Sequence, residues 1–178
     1  YGADMVSWFI EGSQYCGIGY LNNSLSPDYP FNVVASNCAT GYYSTAHELG
    51  HNLGSQHDIA NASGTGRYDY SYGYQELDTP YRTIMAYNCV GGCARYQVFS
   101  NPAISFSGRA AGNSSANNAL SINNVRVTAS QWRTAVVGSS PQAQFTYSCN
   151  LRDCTFTDQS SNPDEITSWS WNFGDNDI

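Results

Sequence analysis

The chain has 178 residues, with seven arginines, no lysine, 14 acidic side chains and three histidines, for a formal charge of −7. Without a Lys/Arg cluster it has no electrostatic footprint for a phosphate backbone, which excludes nucleic acid as a partner. No apolar run approaches the roughly 18 residues that cross a bilayer, and 41% apolar content is enough for a packed core. Only 12% of the residues are charged, while Tyr, Ser, Asn and Gly abound, a surface suited to an extracellular setting.

In chain order, residues 4–10 read as a buried strand, an apolar run with no turn before it. Residues 16–21 form a shorter strand and 30–35 another buried one. Helix formers fill 42–53 and stop at Gly54, a left-handed C-cap. From 55 to 115 turn residues dominate with little periodicity. Ile122, Val125, Ala129, Trp132 and Val136 then recur every three or four positions, one apolar stripe that predicts a helix packed on the core. A short, small-residue segment, 138–142, reads as a linker. Beyond it come strand-like pieces at 144–147, 154–156 and 168–173, so a second, all-β domain is expected over 143–178. Both ends stop in mid-pattern, and no signal peptide or initiator Met opens the chain.

Six cysteines allow fifteen pairings. Only Cys89 and Cys93 have a spacing that suits a zinc ribbon, and no second pair resembles it. Three disulfides are therefore expected, Cys16–Cys38, Cys89–Cys93 and Cys149–Cys154, and with them an oxidising compartment. A free buried thiol remains an alternative for Cys16.

The segment His47-Glu-Leu-Gly-His-Asn-Leu-Gly-Ser-Gln-His57 holds all three histidines. His47 and His51 are four apart, so on a helix their imidazoles share one face and can share a metal. Gly54 lets the chain turn out of the helix, and His57 can then swing back as a third ligand. Three imidazoles with one open position form a catalytic zinc arrangement. Glu48 follows the first ligand, where its carboxylate can activate a zinc-bound water against a carbonyl. If three histidines fell at random, about one arrangement in five thousand would match these offsets, so coincidence is a poor explanation.

These residues resemble the metzincin metalloproteases. The likeness covers His47, Glu48, His51, Gly54 and His57, and extends to Thr83-Ile-Met-Ala-Tyr87 as a Met-turn, with Met85 as the floor beneath the zinc. Asp58, Ala46-His-Glu-Leu-Gly-His51 and Phe99-Ser-Asn-Pro102 are similar to the reprolysin (adamalysin) branch. The resemblance implies an α+β catalytic domain over 1–137, with a mixed sheet and an active-site helix, and a secreted zinc endopeptidase acting on polypeptides. It makes the strand containing Gly17, Ile18 and Gly19 the upper rim of the cleft, whose free edge would pair with substrate. For Gly17 and Gly19, plain close packing is the other reading. It also places the S1′ specificity pocket in the loop 81–96. Tyr87 resembles astacins and serralysins instead, where that tyrosine approaches the metal or the oxyanion. An ordinary packed Tyr is the alternative.

The family usually carries two further strands and a long helix before the segment matched by residues 4–10. A catalytic domain truncated in this way is expected to be poorly stable, and the natural protein longer at both ends. The C-terminal runs 143–147, 154–158 and 169–175 resemble the first part of a polycystic-kidney-disease (PKD) domain, an immunoglobulin-like sandwich that can serve as a spacer or contact insoluble substrates or cell surfaces. Asp153, Asp158, Asp175 and Asp177 do not have EF-hand spacing, so calcium stays an open question and solvated turn carboxylates are expected. From another functional class, a non-catalytic zinc-containing peptide-binding or adhesive module fits the same ligands. Glu48 weighs against it, because a purely structural metal has no use for that carboxylate.

Overall fold

The computed structural model describes residues 2–12, 14–134, 142–150, 153–161 and 166–170. It divides into two compact units, 1–134 and 135–178.

The first unit opens on a three-stranded sheet made of β1 (Val6–Ile10), β2 (Gly17–Gly19) and β3 (Phe31–Ala35), in the order β1-β3-β2. β1 runs parallel to β3, and β2 runs antiparallel to it. The short β2 is thus an edge strand, held at its start by the Cys16–Cys38 disulfide. One face of this sheet, with Asn32 and Val34 buried, packs on helix α1 (Ser44–Asn52). Asn52 is fully buried at the end of α1. It accepts from Asn32 Nδ2 at 2.8 Å and donates to the carbonyls of Tyr20 and Phe31, so one amide side chain ties the helix to the sheet. The other face alternates outward as period-two geometry requires. Val6, Trp8, Ile18 and Phe31 lie there, and Trp8 is 70% exposed. The strand predicted at 4–10 thus forms over Val6–Ile10 with apolar side chains, but it is not a buried one.

Helix α1 ends as its sequence predicts. Leu53 caps it and Gly54 has φ +80°. The Gly54 N–H donates to His51 O and the Ser55 N–H to Gly50 O, the paired bonds of a Schellman motif. A Cβ on Gly54 would also sit 2.7 Å from Cβ of Arg67. Gly54→Ala should therefore cost about 2 kcal/mol, from left-handed strain plus that clash, measurable as a lower urea midpoint.

The region 55–115 is not irregular. It contains β4 (Gln56–Asp58), β5 (Tyr72–Gly73), β6 (Gln75–Glu76), β7 (Tyr81–Arg82), β8 (Ala94–Arg95), β9 (Asn101–Phe106) and β10 (Arg109–Ala111). Most are two or three residues long, too short for any hydrophobic period to register. β9 and β10 make a hairpin whose two linking residues, Ser107 and Gly108, both have positive φ, as a twisted two-residue turn needs.

Helix α2 spans Asn118–Ala129, earlier than the predicted stripe. Asn117 caps it by accepting from Leu120 N. Its inward residues are Asn118, Ser121, Val125 and Ala129, and Ser121 Oγ meets Ser71 Oγ at 2.7 Å. Trp132 lies past the helix end, and Val136 lies outside the described residues. Past the Ser130 cap, Arg133 N donates to Asp4 and Arg133 Nη2 to Pro27 O, tying the chain to the start of the first unit.

In the second unit, β11 (Phe145–Asn150) and β12 (Asp153–Asp158) pair antiparallel, with Cys149 bonded to Cys154 directly opposite. Asp158 accepts from Ser160 and from Trp169 Nε1, which holds its carboxyl below the usual range as a turn carboxylate. The predicted strand 168–173 has no strand assignment at 168–170, and its remainder lies outside the described residues, as does the predicted linker up to 141.

Candidate metal centre and cleft

Three elements bring the histidines together. His47 and His51 lie one turn apart on the buried face of α1, and the Gly54 turn returns His57 on β4. Their Nε2 atoms converge: His47 to His57 is 3.3 Å and His51 to His57 is 3.1 Å. One ligand atom from each lies within 4.8 Å of the others. Zinc–nitrogen bonds of 2.0–2.1 Å in a tetrahedron put nitrogens roughly 3.3 Å apart, so the donor set fits that ion.

The outer nitrogens explain the convergence. His47 Nδ1 lies 2.8 Å from Ile84 O, and His51 Nδ1 lies 2.8 Å from Ser55 O. Nδ1–H donates to each carbonyl, which fixes the tautomer and leaves the Nε2 lone pair facing the shared centre. Burial, reinforced by the neighbouring His51, lowers His47 to about 3. Burial and then His57 lower His51 to about 4. Both rings are therefore neutral at physiological pH, as metal ligands must be.

Met85 is fully buried against helix α1. A Cβ on Gly50 would come 2.5 Å from its sulfur, so the helix turn between His47 and His51 rests directly on this side chain. Thr83 and Ala86 close a turn around it through Ala86 N to Thr83 O at 3.1 Å. Asp58 joins the two halves of the site. Its carboxylate accepts from Tyr87 N at 2.9 Å and from Asn61 Nδ2 at 2.8 Å, which locks the strand carrying His57 to the segment after Met85. The Tyr87 ring packs on His57 with centroids 4.2 Å apart and borders the cleft, and it is half exposed.

Glu48 is 5% exposed and sits under the rim strand. A Cβ on Gly17 would fall 2.5 Å from its Oε1, and one on Gly19 would fall 3.0 Å from its Oε2. The two glycines thus leave room for this carboxylate, a more specific reason than general close packing. Burial raises Glu48 to about 7, against an opposing pull from Arg95. Over these groups lies an open cleft of about 410 Å3 that runs along β2 and includes Ile18 and Arg95. Ile18 is 62% exposed, and among the described residues the outer edge of β2 has no strand partner.

Arg82 and Arg95 were not singled out in the sequence. They are register partners on the parallel strands β7 and β8, and the Cys89–Cys93 disulfide closes the loop between them. Two arginines 13 positions apart carry no motif, and only strand pairing makes them neighbours.

Residues 1–100 match the profile of metallo-peptidase family M12 (Reprolysin_5). The chain belongs to this family. The matched stretch contains every site residue described above, from β2 to Arg95. The chain is 42% identical over 135 residues to a peptidyl-Asp metalloendopeptidase of Stenotrophomonas maltophilia (strain K279a), covering 74% of this chain and 32% of that protein. It is 56% identical over 74 residues to one of Pseudomonas fragi, covering 41% of this chain and 51% of the relative. The M12 chain thus spans about a third of the length of the Stenotrophomonas relative. A chain in a solved chaperone–substrate complex shares the fold with a TM-score of 0.53 at 20% identity, over 75% of this chain and 21% of that one. Among the described residues, no helix is long and apolar enough to cross a membrane.

Proposed function

We propose that this M12 chain carries the catalytic centre of a secreted zinc-dependent endopeptidase. The observation that carries the reading is the convergence of three Nε2 atoms beside a buried carboxylate, in a cleft bordered by an unpaired strand edge. His47, His51 and His57 would hold the ion, and Met85 would support them as a Met-turn. Bound there, zinc supplies Lewis-acid polarisation and makes water a stronger nucleophile at neutral pH. The chain's own residues do the rest. An extended polypeptide adds to the outer edge of β2 through main-chain hydrogen bonds at Gly17–Gly19, which sets its carbonyl over the histidines. Glu48 takes the proton from the attacking water and delivers it to the leaving amine. Tyr87, packed at a tilt against His57, would donate to the developing oxyanion with its ring turned inward.

The relatives' name points to a bond next to an aspartate, and we extend that preference for an acidic residue to this chain. The three disulfides and the weakly charged surface support an oxidising, extracellular location. The hairpin of the second unit supports the start of a PKD-type domain, with a spacer or surface-contact role.

Peptide-library cleavage tests the reading. Activity should vanish on treatment with a chelator and return when zinc is added. Cleavage that persists after the metal is shown to be gone would refute it.

A further inference from the structure

Arg95 is a cation placed in an acidic chain at the one cleft that carries this chemistry. It lines that cleft together with His47, Glu48, His51 and His57. Arg82 stands beside it across the β7–β8 pairing. Neighbouring like charges in a half-buried place are costly and usually come with carboxylates. Here they do not. Among the described residues the one ion pair is Arg109–Asp78, elsewhere in the fold. Arg95 Nη1 donates to Tyr42 O at 2.7 Å and Arg82 Nη1 to Ala86 O at 2.9 Å, both uncharged carbonyls. The Nε atoms of both arginines are buried without a hydrogen-bond partner. A guanidinium has five donors, so most of Arg95's capacity is unspent.

We infer that Arg95, backed by Arg82, is the specificity-determining residue of the cleft and receives the side-chain carboxylate of a substrate residue next to the scissile bond. The inference rests on the endopeptidase reading and adds to it a residue and a ligand chemistry. A carboxylate is the planar, two-oxygen anion that matches a guanidinium fork, and it offsets the charge that two adjacent arginines concentrate. A neutral amide of the same shape forms fewer and weaker bonds and leaves the cation uncompensated. The competing explanation is that Arg95 serves only to tune Glu48. That role would affect every substrate alike.

The test compares two peptides that differ only in Asp or Asn beside the cleaved bond. Their kcat/KM values are measured with the zinc-loaded chain, and their binding is measured by calorimetry in the Glu48→Gln protein. The unmodified chain should favour the Asp peptide by about 100-fold, and Arg95→Gln should remove most of that ratio. Zinc content and circular dichroism check the variant's fold, and Arg95→Met, which keeps the packed stem, replaces it if it fails. No Asp preference in the unmodified chain, or equal losses on both peptides in the variant, would overturn the assignment. If neither peptide is cleaved but binding still separates Asp from Asn through Arg95, the peptidase reading fails and the assignment stands. If binding does not separate them, the assignment fails as well.

Discussion

Glu48→Gln should lower kcat/KM by about three to four orders of magnitude and leave the zinc content unchanged. Gln keeps the length and nearly the volume of Glu, so it still fills the gap under Gly17 and Gly19, where the carboxylate now lies. The three imidazoles and their carbonyl partners are untouched, so metal binding persists. Only the ability to accept a proton is lost. Positioned general bases contribute typically 10²- to 10⁴-fold, and this one also serves the leaving group, which places the effect at the upper end. Burial lifts Glu48 to about 7, and Arg95 pulls it back toward the ionised form that the base needs. Peptide turnover and metal analysis on the same sample check this. Retention of more than a tenth of the activity would remove Glu48 from the mechanism.

His57→Ala should weaken zinc binding by more than about 100-fold and abolish peptide cleavage. Of the three histidines, His57 gives the cleanest test. His47 and His51 are buried within α1, and replacing either would hollow out the helix face that rests on Met85. His57 is half-buried on β4, at the border of the cleft, so its removal takes away a ligand with little core packing. Its ring also supports Tyr87, which would become more mobile. The Asp58 anchor to Tyr87 N remains. Zinc competition against a chelator gives the affinity, and thermal melts of the metal-free proteins show that the fold is intact. Tight zinc binding with two histidines would refute the three-ligand centre.

Much of this centre was legible in the chain. A four-residue step on a helix, a glycine at its end and a histidine three residues later state their geometry in one dimension, because α-helix spacing and left-handed caps are local properties. Asp58 and Met85 could be named from the resemblance, but what they touch could not. The carboxylate of Asp58 reaches Tyr87, 29 residues away, and Met85 meets Gly50, 35 positions earlier. The end of α2 was misjudged for the same reason. Its stripe continued to Val136 on paper, while Arg133 is drawn to Asp4, 129 positions away.

Seven arginines are scattered singly along an acidic chain. Folding sets one of them apart. The sequence by itself determined the three-histidine set that could hold a metal and the carboxylate beside it, since those lie within eleven consecutive residues. Only the tertiary structure decided that β2 forms a free edge over Glu48 and that Arg82 stands beside Arg95, which lines the cleft. Strand pairing is non-local, and two- or three-residue strands carry too little pattern to declare their partners.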